Sequence, residues 1–158
     1  MIQVLLAIWV LGVSLAATAE AETMGSFVVM IDQPDPFADS DAFVAITAQT
    51  GPPFGIRCLD NDVTAVTVVN IKANPGEEVA LKVRIDKREL LDIDGQVIHN
   101  DETGSIVQFG DSGFVKALRR SKIIAVRATL NGITSTTEIE HRGVDEVVDR
   151  VLRACRVK

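Results

Sequence analysis

The sequence predicts a mainly β protein: an antiparallel β sandwich with one short internal helix and a disulfide-pinned C-terminal helix. Three observations predict it. Short runs rich in Val, Ile, Thr and Phe recur between turns built from Asp, Asn, Gly and Pro. Two segments depart from this pattern, and the last has helical periodicity. Two cysteines, Cys58 and Cys155, fall in a predicted strand and in that last helix.

The chain begins with a segment that reads as a leader. Residues 2–19 carry no charged side chain, and residues 2–13 are almost wholly apolar. Ala17-Thr18-Ala19 and Ala19-Glu20-Ala21 then supply two small-residue cleavage candidates. This is the pattern of a secretory signal peptide, too short for a membrane span of about 20 apolar residues. The expectation is a signal peptide over 1–21 and a single β-rich exported domain over 22–158, with no stable membrane anchor after cleavage. Trp9, the sequence's one Trp, leaves with the leader, and the chain has no Tyr. Stacking surfaces for sugars or bases rely on those rings, so such functions are disfavoured.

The elements follow in order. Residues 26–32 and 42–48 read as strands separated by a Pro/Asp-rich turn. Residues 55–59 carry Cys58, and residues 63–71 are rich in Val and Thr. After Asn74-Pro75-Gly76 comes the cleanest alternation in the chain. Val79, Leu81, Val83 and Ile85 share one face, and Lys82, Arg84 and Asp86 the other, which predicts a strand with one wet side. Asp94-Gly95 predicts a hairpin between residues 91–93 and 96–98. Residues 106–109 form another short strand. Asp111 or Ser112 caps a short helix containing Phe114, Val115 and Leu118. Asn131-Gly132 predicts a type I′ hairpin between residues 123–130 and 133–139. Val144, Val147, Val148, Val151, Leu152 and Cys155 then make one apolar stripe of a helix, with Asp145 and Glu146 near its start and Arg153 near its end.

Composition bounds the function. Apolar residues make up 47% of the 158, enough for a core, which excludes a mainly disordered chain. Formal net charge is −6, which argues against a nucleic-acid binder. Two cysteines in an exported domain read as one disulfide, Cys58 to Cys155, closing a long loop.

The candidate chemistry is sparse. Gly110-Asp111-Ser112-Gly113 has the letters around a serine-protease nucleophile, but that chemistry needs a His base and an orienting acid. His99 lies only 13 residues upstream. A helix N-cap is the plainer reading, leaving a small hydrolase using Ser112 as a remote alternative. Asp32, Asp35, Asp39 and Asp41, then Asp60 to Asp62, then Asp92 and Asp94, match no calcium-loop spacing and read as turns. No metal site or cofactor is expected, and His99 and His141 read as surface residues. Arg57, Arg84 and Arg127 each point away from inward-facing neighbours in predicted strands, with Lys82 beside them. They are expected to share an outer sheet face suited to carboxylates.

The order of short motifs resembles a known family. Asp35-Pro36-Phe37 is followed by Ile56-Arg57-Cys58, Val83-Arg84-Ile85-Asp86, residues 114–118, Val126-Arg127 and residues 152–155. This resembles the type VI secretion-associated periplasmic accessory proteins of the TagO/VasI kind and related uncharacterised exported bacterial domains. Those proteins usually begin the domain with Trp, where this chain has Phe27. The resemblance covers residues 27–155 and implies a bacterial exported domain with the Cys58–Cys155 bridge; it offers no established catalytic residues to carry over. The expected function is a non-enzymatic periplasmic binding or accessory domain that docks an envelope or secretion-system protein partner. The alternative is an inhibitor of an exported cell-wall lytic enzyme, acting through the loop at residues 32–41.

Overall fold

The computed structural model describes residues 20–31, 43–47 and 52–156. The leader through residue 19 and the Pro/Asp-rich loop lie outside them. In chain order the elements are β1 (Glu20–Met24), β2 (Phe27–Ile31), β3 (Phe43–Thr47), β4 (Phe54–Leu59), β5 (Asp62–Val69), β6 (Glu78–Ile85), β7 (Leu90–Asn100) and β8 (Ser105–Phe109). Then come α1 (Ser112–Ala117), β9 (Ile123–Leu130), β10 (Ile133–Glu140) and α2 (Val144–Ala154). The described strands join one antiparallel sheet, in the order β1-β2-β3-β4-β5-β8-β7-β6-β9-β10.

The predicted sandwich is this one sheet folded over on itself. The backbone N–H of Asn70, just after β5, donates to Ser135 Oγ of β10 at 3.2 Å. The ring of Phe54 in β4 stacks with His141, just after β10, at 6.4 Å. Such contacts bring the β2–β5 half against the β10 end of the sheet. Inward side chains alternate along the strands, as a pleat with one buried face requires. In β5 they are Val63, Ala65, Thr67 and Val69; in β6 they are Val79, Leu81, Val83 and Ile85. All of these but Thr67 share one apolar core with Phe27, Phe54, Ile56, Ile124 and Val126.

The C-terminal helix buries its predicted stripe, Val144, Val147, Val148, Val151 and Leu152, against β2, β3 and β4. Asp145 and Glu146 occupy its first turn and Arg153 its last. Cys155 caps the helix and bonds to Cys58 on the inward face of β4, with Cα atoms 5.6 Å apart. In α1 the cap is Asp111, whose carboxylate accepts from the Phe114 N–H at 2.9 Å.

Two expectations are corrected. Asp94-Gly95 does not turn the chain: β7 runs unbroken from Leu90 to Asn100. Gly95 lies at a point of close packing, where an added Cβ would meet Val107 Cγ1 at 2.6 Å and Leu81 Cδ1 at 2.8 Å. The real turns flank β7. One begins at Asp86, with φ of 53°. The other is closed by Asp101, whose carboxylate accepts from the N–H groups of Thr103 and Gly104. Second, His141 is not a surface residue: it is 2% exposed, whereas His99 is exposed. His141 continues the inward alternation of Thr137 and Ile139 past the end of β10. Glu20 and Ala21, at the two cleavage candidates, form part of β1 and pair with Ile31 and Met30 of β2.

Candidate functional site

The predicted cationic face is gathered in part. Ladder pairing sets Lys82 of β6 directly opposite Arg127 of β9, with Arg84 one pleat along, opposite Ala125. All three side chains point outward, because each alternates with buried neighbours. They border a small groove of about 170 Å³ floored by Ala125 and walled by Leu90 and Thr136. Leu90 is 40% exposed, an apolar contact beside the charges. Lys82 pairs with Asp92 of β7 at 3.0 Å, between two well-exposed side chains, so that pair holds little energy. Arg127 Nε donates to Thr136 Oγ1 of β10 at 3.3 Å. Among the described residues neither Arg84 nor Arg127 has a carboxylate partner.

Arg57 stands apart. It lies on β4, and three strands separate β4 from β6 in the sheet order. At the usual strand spacing that is roughly 19 Å along the sheet. Its guanidinium is half-buried and donates from Nη2 to Gln108 Oε1 at 2.8 Å. Gln108 in turn donates to Gln96 Oε1 at 3.2 Å. Arg57 therefore belongs to a polar relay running across β8 to β7, not to the groove.

A larger, open cleft of about 1050 Å³ lies elsewhere, where the β1–β2 turn, the α1–β9 connection and the β10–α2 corner converge. Ser121 and His141 line it, both buried. Ser121 Oγ lies 3.2 Å from His141 Nε2 and also donates to the carbonyl of Leu118. A hydroxyl has one proton, and this one is committed to the carbonyl. His141 Nε2 must then be the donor to Ser121, which leaves Nδ1 unprotonated, buried and, among the described residues, without a hydrogen-bond partner. That arrangement is the reverse of an activated serine, whose proton must pass to the imidazole.

The imidazole sits between Phe27, 5.8 Å from its centroid, and Phe54. Desolvation there lowers its pKa below the usual 6.5, and the Asp86 carboxylate opposes that shift in part. Asp86 accepts from the N–H groups of Lys122 and Ile123 at 2.9 and 3.0 Å, and these bonds, the Lys122 one foremost, lower its own pKa. The cleft is thus organised as a junction: His141 N–H donates to Lys122 O, and Arg142 exchanges two bonds with Ser26.

Ser112 is the first residue of α1, beside the capping Asp111. His99 is paired with Ile106, at the far end of the β7–β8 ladder from Ser112, and His141 is engaged with Ser121. Asp60 and Asn61 form the tight turn between β4 and β5. Among the described residues no group of three His, Cys, Asp or Glu is disposed to hold a metal. No helix of the described residues is long and apolar enough to cross a membrane. Leu90, Thr136 and Ser121 were absent from the sequence-based expectation, and His141 entered it only as a surface residue. The period-two burial of Thr137 and Ile139 carries the signal for His141, since the next inward position is 141.

Comparison of the chain with family models, curated proteins and solved structures finds no match.

Proposed function

We propose that this chain is a non-enzymatic binding or accessory domain of the periplasm, and that it docks an acidic protein partner of the cell envelope or a secretion system on the outer face of β6 and β9. One observation carries the reading. Arg84 and Arg127 stand side by side with Lys82, without carboxylates of their own among the described residues, in a chain of net charge −6. A local cationic cluster on an acidic protein selects for carboxylates and repels basic partners. The guanidinium forks bind carboxylates bidentately, and Leu90 supplies apolar contact beside them. Export agrees with the disulfide and with the apolar leader. Processing after Ala19 keeps β1 whole, whereas processing after Ala21 removes two of its five residues.

The test is crosslinking capture from the protein's own periplasm, parent against the Lys82→Glu/Arg84→Glu double variant. Capture of one stoichiometric partner, lost in the double variant, is the expected result. Exposed surface changes leave folding stability within about 0.5 kcal/mol, so the two proteins should melt together. Equal capture by both rejects the face. No partner above background rejects the docking function.

A further inference from the structure

The outer edge of β10 has a feature that the docking face does not use. A two-residue turn links β9 to β10, with Leu130 opposite Ile133, and at the other end of the ladder His141 N–H donates to Lys122 O at 2.9 Å. Odd-numbered residues of β10 therefore direct their N–H and C=O groups toward β9, and even-numbered residues direct theirs away from the sheet. The next even position, Arg142, is already paired: its N–H donates to Ser26 Oγ at 2.7 Å and its carbonyl accepts from Ser26 N–H at 2.9 Å. The edge positions Thr134, Thr136, Glu138 and Glu140 have no such backbone partner among the described residues, and all four are exposed. The strand has no Pro or Lys to block pairing.

We infer that β10 pairs antiparallel with β10 of a second copy of this chain, about a twofold axis at Thr137, so that Thr136 faces Glu138 and Thr134 faces Glu140 across the axis. Charge selects that partner and that register. Arg127 is held over Thr136 by its Nε bond, which places its guanidinium at the sheet edge. In this register Glu138 of the second copy arrives beside it, and symmetry repeats the pair. Every outward backbone group of the four edge residues then finds a partner. A shift of two residues one way sets Glu138 against Glu138, a like-charge clash. The opposite shift sets Thr136 against Thr136 and removes the carboxylate from opposite Thr136. Closed twofold pairing also ends the edge, so the association stops at a dimer.

The inference does not rest on the docking function, and its test separates the two. Sedimentation equilibrium of the purified protein, from micromolar to sub-millimolar concentration, should show a reversible dimer. Amide exchange at Thr134, Thr136, Glu138 and Glu140 should slow as the dimer fills. Arg127→Glu and Glu138→Arg should each weaken dimerisation about tenfold or more, and their combination should restore it. The Lys82→Glu/Arg84→Glu variant should dimerise like the parent. Four results overturn the inference: a monomer throughout, a dimer whose edge amides stay unprotected, edge amides already protected at high dilution, or no rescue in the combined variant.

Discussion

A single methyl group at position 95 has nowhere to go. Val107 and Leu81, the side chains it would strike, are themselves buried, so neither can swing into solvent. Gly95→Ala should therefore cost about 1–3 kcal/mol through overpacking, seen as a lower urea midpoint. An unchanged midpoint would mean that β6 and β8 yield more than their packing indicates. His141 is the second residue whose surroundings make a prediction. Its folded-state pKa is depressed, chiefly by desolvation between Phe27 and Phe54. The unfolded chain then binds the proton more readily than the folded one. The stability held by neutral His141 is present above pH 6.5 and is lost as pH falls from 6.5 toward the folded pKa, by up to about 1.4 kcal/mol per pH unit. His141→Gln keeps a side-chain donor for Ser121 and removes the titration. Chemical denaturation at pH 7.5 and 5.5 should show the parent weakening more than the variant, and equal losses would exclude the imidazole as the cause.

At the scale of elements, the disulfide and the helix it holds act together. Cys58 and Cys155 lie 97 residues apart, so the bond removes much of the unfolded chain's freedom. In the chain-entropy model a loop of that size is worth about 4–5 kcal/mol. The Cys58→Ser/Cys155→Ser variant should lose stability of that order in urea denaturation, and an unchanged midpoint would place the helix's anchorage wholly in its valine stripe. The same elements show what a sequence discloses. Asn131-Gly132 was legible because a type I′ turn needs positive φ at both residues, and their φ values are 51° and 80°. Asp94-Gly95 misled because glycine serves two ends, turning a chain and admitting a neighbour, and local sequence does not distinguish them. The short strand β1 was hidden because its start overlaps the small-residue region that marks a cleavage site.

For the whole molecule, strand order decides which residues meet, and strand order is not written locally. The outward direction of Arg57, Arg84 and Arg127 could be read from alternation alone. That Arg84 and Arg127 are neighbours, while Arg57 is remote, follows from β6 pairing with β9 and β4 pairing with β3 and β5. The cleft was still less visible, since its walls come from the β1–β2 turn, the α1–β9 connection and the β10–α2 corner.

The bonds between Ser26 and Arg142 span 116 residues, and the disulfide spans 97. Both join the opening third of the described chain to its last stretch. A nascent chain emerging from its N-terminus can pair β1 with β2, yet that hairpin finds its resting place only after residue 142 has appeared. Helix α2, which covers β2, β3 and β4, arrives later still. Until then the apolar face of the first strands has no cover. Completion is therefore post-synthetic and dominated by distant contacts, which places folding toward the slow, millisecond-to-second end of the range for small domains.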